Sequence, residues 1–153
     1  MKTEKRRTFI KKSVMASAGM ALGAPAFIEG YDRINPSDVL NVGIIGRNDR
    51  GGFYGGGGHT ANFTKIKETR VAAICDCVDY LLPKAITDIE KLGGAKPATY
   101  TDYRKMLENK DLDIITIATP DYWHAIMTVN ACQAGKDVYV EKPVSHNVPE
   151  GRK

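Results

Sequence analysis

From Asp38 onward, apolar runs and polar gaps alternate along the chain, and the length of each run suggests its element. VLNVGIIG (Val39–Gly46) is an apolar run closing on glycine, the pattern of a strand buried on both faces. A glycine-rich loop follows. The next spacing predicts a helix from about His59 to Lys67, with Phe63 and Ile66 on one face. RVAAICD (Arg70–Asp76) reads as the second strand, with Cys75 and Cys77 at i and i+2. VDYLLPKAITDIEKLGG reads as a helix stopped by Gly93 and Gly94; Pro83 fits its first turn, where no amide donor is needed. Ala98–Tyr100 is a short third strand. Asp102 is placed to cap a helix from Tyr103 to Asn109. DIITIATP (Asp113–Pro120) is the fourth strand, His124 to Ala134 a helix stopped by Gly135, and Val138–Val140 the fifth strand. VPEGRK reads as the first turn of a further helix.

Strands alternating with helices at this spacing imply parallel β-α-β units with right-handed crossovers. The predicted fold class is therefore α/β: a doubly wound, mostly parallel, Rossmann-like sheet. Such sheets bind ligands outside the carboxyl ends of their strands. The informative residues are then Gly46–Gly51, Asp76, Thr119–His124 and Glu141–Pro143.

Charge changes the picture at one end only. The 153 residues carry a formal net charge of +4. Residues 1–26 hold six Lys and Arg against a single Glu, so the remaining 16 basic and 17 acidic residues nearly cancel. The basic balance belongs to the N-terminus, and nucleic acid is not the implied partner. That N-terminus reads as a targeting segment: a basic start, a mildly apolar run from Val14 to Leu22, and Ala24-Pro25-Ala26 shaped like a cleavage site. Arg6-Arg7-Thr8-Phe9-Ile10-Lys11 resembles the twin-arginine export motif, with Lys5 departing from it; an ordinary secretory signal or a basic, disordered N-terminus would read the same way. The expected organisation is a signal segment over 1–26, a linker over 27–37 and one domain over 38–153. It implies the twin-arginine machinery as a partner and a periplasmic or otherwise exported protein. The three cysteines show no metal spacing and no C-x-x-C pair, and read as small buried residues.

Three segments carry candidate chemistry. In GRNDRGG, the loop residues Gly46, Arg47, Asn48, Arg50 and Gly51 stand where a dinucleotide fold turns tightly beneath a pyrophosphate. Position 48 is Asn where the G-x-G-x-x-G fingerprint has its second glycine; a flexible loop would read the same way. Asp76, 25 residues beyond Gly51, ends the second strand, where an acid accepts hydrogen bonds from adenosine ribose hydroxyls. A turn-capping Asp is the plain alternative. The carboxylate, with Cys77 next and no Arg beside it in sequence, favours NAD over NADP, whose 2′-phosphate it would repel. In IATPDYWH, Thr119 and Pro120 end a strand, and Trp123 and His124 open a helix. The bland reading packs Trp123 on the sheet edge and leaves His124 at the surface. In GKDVYVEKPVSH, Glu141 and Lys142 follow the last strand, and alone would read as a solvated pair.

VGIIG, AAICD, TDYRKMLENKDLD, IATPDYWHA, ACQAGKDVYVEKPVS and EGR, in this order, resemble the Gfo/Idh/MocA oxidoreductase family over about residues 38–153. The likeness is close to members exported by twin-arginine signals. It departs at Asn48 and in the lengthened Gly55–Gly58 loop. The resemblance implies that Lys142 reaches toward the nicotinamide and the substrate hydroxyl as the catalytic residue, that Glu141 belongs to the cofactor pocket, and that the Lys142-Pro143 bond is cis. It also implies a second α/β domain, absent here, that completes the substrate pocket and often mediates homo-oligomers. The expected function is thus the NAD-binding domain of an exported oxidoreductase for a sugar, polyol or related carbinol. Two alternatives stand beside it: an NAD-dependent glycoside hydrolase of the same superfamily, and a fragment that binds NAD without catalysis. Without a second domain, Tyr122 and Trp123 are expected to form an exposed aromatic patch.

Overall fold

The computed structural model describes residues 39–52 and 57–152. The expected signal segment and linker, and Gly55 and Gly56 of the long loop, lie outside the described residues. Five strands, β1 (Leu40–Ile45), β2 (Thr69–Cys75), β3 (Ala98–Tyr100), β4 (Ile114–Ile117) and β5 (Asp137–Val140), form one parallel sheet in the order β3-β2-β1-β4-β5. Four helices connect them: α1 (His59–Lys65), α2 (Leu81–Lys91), α3 (Tyr103–Leu107) and α4 (His124–Gln133). The chain runs outward from β1 to β3, then returns to the other side of β1 for β4 and β5. The ends of β1 and β4 therefore flank the point where the strand order reverses, the place such sheets leave open for a ligand.

Both sheet faces are covered, as the unbroken apolar runs require. Val42 and Ile44 of β1 pack with Val71 and Ile74 of β2 and with Leu82, Ala85 and Ile89 of α2. Ile45 points the other way, into Met106 and Leu107 of α3 and Met127 and Ala131 of α4. Each fully buried Ile or Met contributes about 1.5–3 kcal/mol through removal from water. That rigid slab holds the strand ends, and the loops leaving them, in fixed positions.

Several expectations need correction. α1 stops at Lys65, and Ile66 turns extended (ψ 124°) and stays exposed, so only Phe63 of that expected pair meets the core. β2 stops at Cys75, which puts Cys77 in the following turn rather than on the strand. Cys75 is buried, and burial first, then the Asp76 and Asp102 carboxylates, pushes its thiol up to about 12. Cys77 and Cys132 are exposed, not buried. α3 stops at Leu107, short of Asn109, whose side chain instead accepts the Asp111 N–H at 2.9 Å and turns the chain. Asp102 does cap α3, accepting the Arg104 N–H at 3.0 Å. VPEGRK contains a 3-10 turn, Glu150–Arg152, begun by Asn147, whose side-chain oxygen accepts the Glu150 N–H at 3.0 Å.

Candidate functional site

The carboxyl ends of the strands open into two adjoining clefts. The larger, about 590 Å³, runs from Gly46 and Asn48 past Asp76, Cys77 and Tyr80 to Asp102 and Arg104, and back along Thr119, Pro120, Tyr122 and Trp123. The smaller, about 140 Å³, is bounded by Arg50, Thr119, Asp121, His124, Glu141 and Lys142. Ala118 and Thr119 line both.

The floor between them is the turn after β1. Gly46 adopts φ +84°, and a Cβ there would stand 2.7 Å from the Ala118 carbonyl oxygen. A Cβ on Gly51 would fall 1.6 Å from the Gly46 carbonyl oxygen. These two positions admit glycine alone, because the turn folds onto itself and onto β4's exit. Asn48 stands exposed on the cleft wall, and its carbonyl accepts the Gly51 N–H at 3.1 Å to close a 3-10 turn over Asp49–Gly51. Arg47 turns inward: its side chain is buried and paired with Asp88 of α2. Neither Arg47 nor Gly51 lines a cleft.

Asp76 is fixed by main chain. Its Oδ2 accepts the Arg47 N–H at 2.7 Å and its Oδ1 the Val78 N–H at 2.9 Å. Its own N–H donates to the Tyr100 carbonyl at 3.1 Å. A carboxylate has about four lone-pair directions, so two remain for hydroxyls at the cleft. Glycine floor, oriented carboxylate and cleft size together fit the adenosine half of a dinucleotide.

The smaller cleft is fixed by two histidines. His124, expected at the surface under the bland reading, is 2% exposed. Its Nδ1 stands 2.6 Å from the Pro143 carbonyl oxygen and its Nε2 2.8 Å from the Thr119 carbonyl oxygen. The ring thereby pins the segment after β5 to the segment after β4. A second strap, His146 Nδ1 to Asp121 Oδ2 at 3.1 Å, lies outside it and holds the Asp121 carboxyl below its usual range. Pro143 follows Lys142 through a cis peptide bond.

His59, the first residue of α1, was not singled out in the sequence as anything but a helix start. It is buried, and its Nε2 meets Glu141 Oε1 at 2.9 Å. Phe63 and Tyr139 pack edge-on against its ring. The hydrogen bond from His59 is the main cause that holds the Glu141 carboxyl below its usual range, with the charges of His59 and Arg50 assisting. Glu141's carboxylate thus pairs with a side chain of α1 rather than with the amine of the neighbouring Lys142, whose exposed side chain lines the cleft. Nothing local in the sequence could signal this pair, which is 82 residues apart.

Trp123 and Tyr122 are 44% and 59% exposed, and both rings line the larger cleft. Among the described residues no three His, Cys, Asp or Glu side chains group as a metal site.

Residues 40–153 match the family model GFO_IDH_MocA, described as an oxidoreductase family with an NAD-binding Rossmann fold. A curated relative, glycosyl hydrolase family 109 protein 2 of Shewanella sp. (strain ANA-3), is 34% identical over 164 residues, covering 95% of this chain and 35% of that protein. The chain therefore spans about a third of the length of the curated relatives it matches. Among solved structures, myo-inositol 2-dehydrogenase from Lactobacillus plantarum superposes with a TM-score of 0.63 at 30% identity, covering 74% of this chain and 31% of that one. Scyllo-inositol dehydrogenase from Lactobacillus casei, with bound NAD(H) and scyllo-inositol, superposes with a TM-score of 0.63 at 25% identity over the same shares.

Proposed function

The chain belongs to the Gfo/Idh/MocA oxidoreductase family through its NAD-binding Rossmann domain, and from that premise we propose that it is the cofactor domain of an exported oxidoreductase acting on a sugar, polyol or related carbinol. The observation that carries this reading is the convergence, on one sheet edge, of the glycine turn, the oriented Asp76 carboxylate and Lys142. Asp76 accepts the adenosine ribose hydroxyls, and its charge favours NAD over NADP. Thr119, Pro120 and Trp123 wall the cleft; Arg50, His124 and Glu141 bound its inner end. NAD, when bound, supplies the hydride acceptor.

Lys142 is the catalytic residue. Its amine would take the substrate hydroxyl proton as the carbinol hydride passes to NAD, and the ammonium so formed would donate to the resulting carbonyl oxygen. His124 holds the Pro143 carbonyl and so fixes where Lys142 enters the cleft. Glu141, drawn to His59, leaves the lysine amine to the substrate. Turnover by the whole protein further requires a second domain to cover the inner cleft. That domain would complete the substrate pocket and carry any homo-oligomer contact.

Arg6 and Arg7 support twin-arginine export to the periplasm, with residues 1–26 as the signal, 27–37 as a linker and 38–153 as the domain. That route carries folded proteins, so the cofactor would travel bound. Replacing Arg6 and Arg7 with Lys should then retain a reporter fused after residue 37 in the cytoplasm; unchanged export would remove this part of the reading.

A second reading is favoured by one comparison. The relative at 34% identity is named a glycosyl hydrolase, so the whole protein would cleave a glycoside with NAD and without net redox change. Hydrolysis of aryl glycosides by a full-length relative with no added NAD separates the two.

The cofactor assignment is tested on the chain itself. Cys77 lines the larger cleft, Cys132 is exposed elsewhere on α4, and Cys75 is buried. NAD should give a saturable calorimetric signal and slow alkylation of Cys77 while Cys132 reacts as before. Absence of both the heat and the protection would overturn the reading.

A further inference from the structure

The sequence puts no arginine next to Asp76, yet the fold brings one to the same cleft. β2 and β3 are paired, with Cys75 opposite Tyr100, and the Asp76 N–H donates to the Tyr100 carbonyl at 3.1 Å. The residues just after Tyr100 therefore emerge beside Asp76. Two of them are charged: Asp102 and Arg104 both line the larger cleft, together with Asp76, Cys77 and Tyr80.

They are locked together. Arg104 donates through Nε to Asp102 Oδ1 at 2.9 Å and through Nη2 to Oδ2 at 2.8 Å, a fork on a fork, while its main-chain N–H donates to Oδ1 at 3.0 Å. The Asp102 charge also reaches the inner wall: after burial and Asp76, it is the next cause that raises the Cys75 thiol. The cleft wall near Asp76 thus holds two carboxylates against one guanidinium.

We propose that Asp102 is a specificity-determining residue that keeps Arg104 from serving as a receptor for an adenosine 2′-phosphate. The proposal rests on the reading of the larger cleft as the adenosine site. A free guanidinium there would offer donors in a planar fork that matches a phosphate. Held by Asp102 through Nε and Nη2, it has one edge of that fork occupied and its charge offset by the carboxylate. Exposed ion pairs are weak, so a phosphate could draw Arg104 away. Asp102 would then face the phosphate uncompensated, so it opposes a 2′-phosphate in either arrangement. The sequence argument for NAD over NADP, which relied on Asp76 and the lack of an adjacent Arg, becomes a three-residue balance.

Asp102→Asn isolates the charge. Asn is as good an N-cap as Asp and retains the bond to the Arg104 N–H, so α3 keeps its start. Binding of NAD and NADP to the 153-residue chain would be measured for the parent, D102N and the double variant D102N/R104Q. The affinity ratio of NADP to NAD should rise roughly tenfold or more in D102N, the scale of one charge-assisted hydrogen bond. The gain should shrink with added salt and disappear in the double variant. An unchanged ratio in D102N overturns the proposal. So does a gain that persists without Arg104, which would mean that any lost negative charge suffices. A parent chain that binds neither dinucleotide overturns the adenosine-site reading itself, and this proposal with it.

Discussion

At the β1–β2 end of the cleft, main-chain groups hold the side chain that faces the cleft. Asp76 is fixed by the N–H groups of Arg47 and Val78, over a turn that only glycines can close. At the β5 end the relation inverts, and side chains hold the main chain. His124 pins the carbonyls of Thr119 and Pro143, and His59 reaches across from α1 to Glu141. The difference suits the two tasks. An adenosine ribose needs one acceptor in one place. The reacting centre proposed for the β5 end needs two separately folded loops brought to a common register, and side-chain hydrogen bonds do this at the cost of being sensitive to substitution.

The largest expected effect breaks the first end. Gly51→Ala would drive a Cβ into the Gly46 carbonyl oxygen, 1.6 Å away, and both partners are backbone. The turn must open, at about 3 kcal/mol or more. Calorimetric NAD binding should vanish and the melting temperature should fall. A variant that binds and melts like the parent would show that the tight turn is dispensable.

His124→Phe breaks the second end. It keeps an aromatic volume in the pocket but strands the Thr119 and Pro143 carbonyls. Thr119 is only half-buried and Pro143 is exposed, so water replaces part of what is lost, and hydrogen bonds worth about 0.5–1.5 kcal/mol each imply a loss of roughly 1–3 kcal/mol in urea unfolding. The adenosine end should be spared, leaving ADP-ribose affinity near that of the parent while NAD affinity drops. Equal losses for both ligands would mean that the two ends are one mechanical unit.

Asp76→Ala returns to the first end with a smaller change. Ribose hydroxyls lose a charged acceptor worth about 1.5–3 kcal/mol, so at least a tenfold loss of NAD affinity follows. Here ADP-ribose should weaken in parallel, the reverse of the His124 pattern. Unchanged affinity would take Asp76 out of the site.

The same contrast explains what was legible in the sequence. β3 was read as Ala98–Tyr100, as found, and the other strands to within three residues at either end, because apolar runs and glycine stops are local signals. The glycine turn and Asp76 were legible for the same reason: the turn's geometry excludes other residues at Gly46 and Gly51. Lys142 stood out only through its family motif. His59 and the burial of His124 were not legible, since each is defined by a partner on another strand's loop. Arg104 was missed near Asp76 because β2–β3 pairing, not sequence distance, makes them neighbours. Cys77 was misplaced by extending alternation past the strand's end.

The smallest effect sharpens the comparison through pH. The Glu141 carboxyl is held below its ordinary value of 4.5, mainly by the hydrogen bond from His59, while partial burial opposes this. A carboxyl whose pKa is lower folded than unfolded adds stability that is complete above the unfolded value and is lost as pH falls through the folded one. Glu141→Gln removes the titration and keeps the side chain's shape. The parent's advantage over E141Q should therefore be present at about pH 5.5 and fade as pH falls below about 4.5. The side chain is 20% exposed, so solvent screening limits the advantage to about 1 kcal/mol. Asp102 also has a lowered carboxyl pKa, set first by Arg104, but it is exposed at the other end of the cleft. Removing the His59 partner should abolish the E141Q difference and leave the Asp102 contribution in place. If H59N leaves the pH dependence of Glu141 untouched, then α1 does not govern this carboxylate, and the β5 end is held by His124 without His59.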